Sequence, residues 1–178
     1  GAVGVKIEGG AAMADTVRAL VRAGIPTVGH LGLTPQTASL LGGYRCQGRT
    51  APAARRILDD ALLLQDAGAF LIVLECVPDR LAAEISRRCE VPIIGIGAGA
   101  GCDGQVLVLH DMLGLGRGGH APRFVRRYEE LGDRVVKAAR GFCNDVRSGS
   151  FPSGEHSFPM PDGEWSTFHK GLGKRKRG

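Results

Sequence analysis

The run Phe70-Leu-Ile-Val-Leu-Glu75 constrains this chain most, because five consecutive apolar residues lead straight into a carboxylate, with Gly68 ahead of them and Pro78 behind. An apolar run of that length between two breakers predicts a strand covered on both faces, the habit of parallel sheets. In parallel α/β folds the ligand crevice lies beyond the carboxyl ends of the strands, so Glu75 stands where chemistry is expected. The competing reading is structural: a glutamate that caps the next helix or pairs with a lysine or arginine.

The surroundings of this run repeat. A helical pattern over 11–23, carried by Met13, Val17, Leu20 and Val21, stops at Gly24 and gives way to Ile25-Pro-Thr-Val-Gly-His30. Thr50 can cap a helix with Pro52 in its first turn, and Ile57, Leu58, Ala61, Leu62 and Leu64 carry it to Gly68 and the central run. From Pro78, Leu81, Ala82, Ile85 and Cys89 form another inner face before Val91-Pro-Ile-Ile-Gly-Ile96. Helix-then-strand succession with short junctions means a parallel sheet or barrel. With Val3–Glu8 at the front and Gln105–Leu109 behind, there are five strand candidates. A closed (β/α)8 barrel needs eight strands in roughly 250 residues, so the pattern is about three units short. It fits an open α/β sheet or the later part of a barrel.

Other polar residues collect near strand ends. Lys6 and Glu8 alternate with Val5 and Ile7, so both project from one face; they read as a site pair or as a solvated ion pair. His30 reads as a ligand or acid, or as a hydrogen-bonded structural histidine. The glycine-rich connection from Leu31 to Arg49 is long and aperiodic, which favours a functional loop. Gly99-Ala-Gly-Cys-Asp-Gly104 matches G-x-G-x-x-G, but the residues after it pattern as a strand where a dinucleotide fold needs a helix. Further helices are expected over 122–131 and 133–148, after a glycine-rich bend at 114–119. Their stripe of Phe124, Val125, Tyr128, Leu131, Val135, Val136, Ala139 and Phe142 predicts core or subunit contact.

Composition excludes several function classes. The net charge of +5 is accounted for by Lys170, Lys174, Arg175, Lys176 and Arg177, leaving a neutral body, so nucleic-acid binding is not indicated despite the basic tail. The five cysteines are scattered without a C-x-x-C pair, as expected of reduced thiols and not of a zinc site. No apolar run approaches the roughly 20 residues that span a bilayer. The 178 residues suffice for one domain with a real core. We expect that domain over 1–158 and a polar, basic, disordered tail over 159–178. Because Gly1 opens the chain and strand pattern begins almost at once, we expect the natural amino terminus to be missing.

Several motifs in order resemble the ketopantoate hydroxymethyltransferase family: Val5-Lys-Ile-Glu-Gly-Gly10, Gly29-His-Leu-Gly-Leu-Thr-Pro-Gln36, Gly42-Gly-Tyr-Arg-Cys-Gln-Gly-Arg49, Val73-Leu-Glu-Cys-Val-Pro78, Ile94-Gly-Ile-Gly-Ala-Gly99, Asp103-Gly-Gln105, Leu109-His-Asp111 and Glu155-His-Ser-Phe158. The resemblance covers Val5 to about Phe158. It implies a (β/α)8 TIM barrel, here about its last five β/α units plus carboxyl-terminal helices, within a homo-oligomer. It further implies transfer of a hydroxymethyl group from 5,10-methylenetetrahydrofolate to the keto acid 3-methyl-2-oxobutanoate, giving 2-dehydropantoate in pantothenate synthesis, with Mg2+ bound. By resemblance Glu75 is the catalytic base, Lys6 and His30 bind substrate, and Glu8 belongs to the metal site through a water.

The chemistry suits those residue types, since proton loss beside a ketone needs a carboxylate base and a cation for the developing enolate. Two departures stand out. The family's two metal-anchoring aspartates come from earlier strands that have no counterpart here, so we expect a fragment that is inactive by itself. Cys46 replaces a residue that is aliphatic in most of the family. We expect a cytoplasmic protein, with a mitochondrial one as the alternative. A magnesium-dependent lyase or mutase barrel of the phosphoenolpyruvate mutase or isocitrate lyase kind is the alternative enzyme reading, and a polyanion binder led by its basic tail is the alternative outside catalysis.

Overall fold

The structure, a computed structural model, describes residues 1–116 and 121–172. It divides into two compact units, Gly1–Glu129 and Glu130–Gly178.

In the first unit five parallel strands lie in sequential order: β1 (Val5–Glu8), β2 (Thr27–Gly32), β3 (Leu71–Glu75), β4 (Ile93–Ile96) and β5 (Gly104–Gln105). Between them run α1 (Ala14–Arg22), α2 (Ala51–Asp66) and α3 (Asp79–Arg88). A parallel sheet whose strands follow chain order, the first four joined by helical crossovers, is the arrangement of a (β/α)8-type barrel, present here in part.

Local chemistry sets the helix boundaries. The Thr50 side chain accepts a hydrogen bond from the Ala53 N–H at 3.4 Å, and Pro52 occupies the first turn of α2. Gly24 and Gly68 close α1 and α2 with φ of +78° and +98°, a conformation glycine adopts without steric cost. The helices bury their apolar stripes against one face of the sheet. Val17, Ala61, Leu64, Ala82 and Ile85 meet Ile72, Leu74 and Ile93, and all eight side chains are fully buried. Each of the larger ones contributes roughly 1.5–3 kcal/mol of transfer free energy.

The opposite face differs from expectation. Leu71 and Val73 are only half-buried and Phe70 is 50% exposed, so the central strand is fully covered on one side only. That second face is the one carrying Lys6, Glu8, His30 and Glu75.

Two further expectations are corrected. The fifth strand is the short Gly104–Gln105, and Leu109 begins a one-turn helix, α4 (Leu109–Met112), where strand pattern extends to Leu109. No helix occupies 122–130, and Leu131 already belongs to the next helix. That stretch holds turns, with Val125 N–H bonded to the Pro122 carbonyl and Tyr128 N–H to that of Met112. The glycine-rich bend at 114–119 lies only partly within the described residues.

The second unit holds α5 (Leu131–Ser148) and α6 (Asp162–Lys170), with a 3-10 turn at Gly154–His156 between them. None of the three elements buries a residue fully, so the stripe of Val135, Val136 and Phe142 is exposed and not core. The helix α6 also corrects the expectation of a wholly disordered tail. Asp162 and Glu164 at its start and His169 and Lys170 at its end complement the helix dipole, and Trp165 stacks on His169 at 5.7 Å. Residues 173–178, with most of the basic cluster, lie outside the described residues. Among the described residues no helix is long and apolar enough to cross a membrane.

Candidate active site

The register brings the predicted residues together. Lys6 pairs with Val28, Glu8 with His30, His30 with Val73, and Gly32 with Glu75. Residues two apart on a strand share a face, and partners across parallel strands do too, so all four polar side chains emerge on the half-open side. Both residues after the strand ends are strained or special: Gly9 has φ +124° and Cys76 has φ +50°. Positive φ at a non-glycine residue costs of order 1–3 kcal/mol and clusters at functional sites. The Cys76 turn is held by two main-chain bonds, its N–H donating to the Ile96 carbonyl at 2.8 Å and its carbonyl accepting from the Gln47 N–H at 2.9 Å.

The contacts form a chain of charge. Lys6 Nζ lies 3.0 Å from His30 Nδ1 and 3.5 Å from Glu8 Oε1. His30 Nδ1 lies 3.6 Å from Glu8 Oε1, and His30 Nε2 is 3.2 Å from Glu75 Oε2. The other Glu8 oxygen accepts the Gln36 backbone N–H at 3.1 Å. The His30, Glu8 and Glu75 side chains are 3%, 8% and 15% exposed, against 47% for Lys6. Water is thus largely excluded from the acid and imidazole groups while the ammonium faces the opening.

This geometry assigns the imidazole tautomer. Lys6 as an ammonium can only donate, so Nδ1 accepts and a neutral ring carries its proton on Nε2. Although close to Glu75 Oε2, Nε2 lacks the alignment of a hydrogen bond and is a buried polar atom without a partner. A buried group of that kind marks a place where a ligand atom or a small movement of Glu75 would complete the bonding.

Glu8 alone does not make a magnesium site. Magnesium takes about six oxygens in octahedral array, whereas both Glu8 oxygens already face Lys6 and Gln36. Among the described residues no three histidine, cysteine, aspartate or glutamate groups gather to hold a metal ion.

Several neighbours escape sequence reasoning. A pocket of about 230 Å3 is lined by Gly9, Gly10, Gly32, Gln47, Arg56 and Asp60, among others. Asp60 Oδ1 accepts the Ala11 N–H at 2.9 Å, and a Cβ on Gly10 would sit 2.1 Å from the same carboxylate. The only sequence sign of this was the Gly9-Gly10 pair. The Gly99–Gly104 loop serves packing: Cβ atoms at Gly99 and Gly101 would meet Asp79 and Ala83 of α3 at 2.5 and 2.6 Å. A strand at Gly104–Gln105 follows it, with no dinucleotide-type helix. Its aspartate is structural, Asp103 Oδ2 accepting from the Ile93 N–H at 2.8 Å and the Ser86 hydroxyl at 2.9 Å.

Fold and cluster together define an α/β chain of (β/α)8-barrel type with acid–base groups at the carboxyl ends of its strands. The chain belongs to the ketopantoate hydroxymethyltransferase family, whose family model matches residues 1–154. A protein of Nitratidesulfovibrio vulgaris named 3-methyl-2-oxobutanoate hydroxymethyltransferase is 55% identical over 96% of this chain and 55% of its own length. Proteins of the same name from Cenarchaeum symbiosum and Desulfitobacterium hafniense are 56% and 50% identical over 92% and 97% of this chain, and 62% of their own lengths. The chain therefore spans little more than half the length of these curated relatives.

Proposed function

We propose that this chain supplies the proton-abstracting side of an enzyme that moves a hydroxymethyl group from 5,10-methylenetetrahydrofolate to 3-methyl-2-oxobutanoate, giving 2-dehydropantoate. The observation that carries the reading is the convergence of Lys6, Glu8, His30 and Glu75 from three neighbouring strands onto one half-open face.

Glu75 is the base. Its carboxylate takes the C3 proton of the keto acid, and the C–H electrons move into the C2–C3 bond as the carbonyl oxygen gains negative charge. Lys6 is the exposed cation beside that oxygen, holding the keto acid by charge and hydrogen bonding. His30 fills the space between Lys6 and Glu75, and its Nε2 proton is available to the carboxylate or to a substrate oxygen. C3 of the enolate then bonds to the methylene carbon as one of its C–N bonds breaks and those electrons return to the folate nitrogen; water supplies the hydroxyl of the transferred group as the second C–N bond breaks, and tetrahydrofolate leaves. Glu8 is the residue of this chain that would hold magnesium, through a water, and the ion would supply positive charge for the developing enolate.

Homo-oligomer formation belongs to the same proposal. The exposed apolar face of α5, with Val135, Val136, Phe142 and Val146, supports it.

The test is a hybrid in which this chain replaces the matching part of the Nitratidesulfovibrio vulgaris relative. Proton NMR in D2O should show loss of the C3 proton signal of 3-methyl-2-oxobutanoate with the hybrid and none with its Glu75→Gln form. Equally fast exchange by a folded Glu75→Gln hybrid removes Glu75 from the base role.

A further inference from the structure

The turn that carries Glu75 also carries a thiol, and a second thiol lies beside it. Cys46 belongs to the loop before α2 and Cys76 follows Glu75, so 30 residues separate them in the chain. The main-chain bond from Gln47 N–H to the Cys76 carbonyl, 2.9 Å, holds the two segments side by side. The loop packs closely at this point, since a Cβ on Gly48 would meet Leu81 and Ile57 at 2.7 and 2.9 Å. Both thiols are reduced and partly accessible. Disulfide formation requires Cα atoms roughly 4.4–6.8 Å apart, a spacing that adjoining hydrogen-bonded segments provide.

We propose that Cys46 and Cys76 form a peroxide-oxidisable dithiol, a covalent modification site next to the Glu75 carboxylate. Burial, then the neighbouring Cys46 thiol and Glu75, push the Cys76 thiol up, so Cys76 suits the resolving role. The Cys46 thiolate attacks one oxygen of hydrogen peroxide, the O–O bond breaks, and the departing hydroxide takes up the thiol proton as water. Cys76 then gives up its proton and attacks the Cys46 sulfenic sulfur, and a second water leaves as the S–S bond forms. Two electrons pass from the pair of thiols to the peroxide. The product ties the 42–49 loop to the turn after β3. The pairing of the two thiols is independent of the reaction proposed above.

The experiment uses the whole chain, folded, treated with a small excess of hydrogen peroxide, alkylated and digested with trypsin. The expected result is a linked pair of peptides, Cys46–Arg49 with Ile57–Arg80, in at least half of the molecules. Dithiothreitol should release it, and Cys46→Ser or Cys76→Ser should abolish it. Two of the five thiols should become unreactive to alkylation while the far-ultraviolet spectrum stays unchanged. Oxidation of Cys46 to sulfinic acid without linkage, a bond involving Cys89, Cys102 or Cys143 instead, or five thiols still free would each overturn the proposal. Because the readout is on the unsubstituted chain, poor folding of a serine variant does not decide it.

Discussion

His30 Nε2 and Glu75 Oε2 face each other at 3.2 Å from adjacent parallel strands, although the two residues sit two positions apart in register. The residue directly opposite Glu75 is Gly32, which has no side chain to fill the space between them. A Cβ there would lie 2.2 Å from the Glu75 carbonyl oxygen and 2.7 Å from Val77, and Gly32 has φ +89°. The glycine thus permits both the turn after β2 and the approach of the glutamate.

Gly32→Ala is accordingly expected to destabilise the chain by about 3 kcal/mol or more, combining left-handed strain with a backbone collision. Urea unfolding followed by circular dichroism would show a lower midpoint; an unchanged midpoint would mean the strand ends are spaced more widely than the structure has them.

Lys6→Met should change which imidazole nitrogen of His30 holds the proton. With lysine present Nδ1 is the acceptor, and nitrogen-15 shifts of the labelled chain should show Nε2 protonated in the neutral ring. Removing the donor leaves Nδ1 free to carry the proton towards Glu8, 3.6 Å away. Identical shifts in the two proteins would rule out the Lys6–His30 hydrogen bond.

In the hybrid enzyme Glu75→Gln should lower the rate of C3 proton exchange by about 100-fold or more, the usual contribution of a positioned general base. Keto acid affinity should change little, because Lys6 and not Glu75 is the binding group. A mutant that binds markedly more weakly but exchanges normally would reverse those two assignments.

Asp103 connects α3 to the start of β4, and its bonds to the Ile93 N–H and then the Ser86 hydroxyl hold its carboxyl below the ordinary value of 3.8. A lowered folded value means the ionised form stabilises the fold above the unfolded value, and that this contribution fades as pH falls through the lowered one. Because Asp103 is exposed and solvent screens its charge, Asp103→Ala should lower stability only slightly at pH 7, by ~0.5 kcal/mol, and the gap from the unsubstituted chain should narrow as the medium is taken below pH 3.8. A gap that is constant across this acid range would mean that the hydrogen bonds do not depend on the charge.

Much of this was legible in the residues. The parallel α/β class follows from apolar runs alternating with amphipathic helices, because a period of 3.6 next to an uninterrupted apolar strand leaves few other ways to bury both. Strand ends at Glu8 and Glu75 were legible for the same reason: a charge cannot continue a buried run. The segments after Gln105 were less so. Val106–Val108 and 122–130 have apolar spacing compatible with strand or helix, and main-chain bonds to distant carbonyls such as those of Gly95 and Met112 decided for irregular structure. Helix α6 went unread because its stability lies in end charges and aromatic contacts and not in an apolar period.

By itself, then, the sequence determined which residues end strands, which face of each helix is apolar, and the family to which the motifs belong, since these depend only on neighbours along the chain. Only the tertiary structure decided that Lys6, His30 and Glu75 form one connected path, that Glu8 is held by Gln36, and that Cys46 adjoins Cys76. Those relations depend on strand register and loop closure, which join residues tens of positions apart and leave no local period to read.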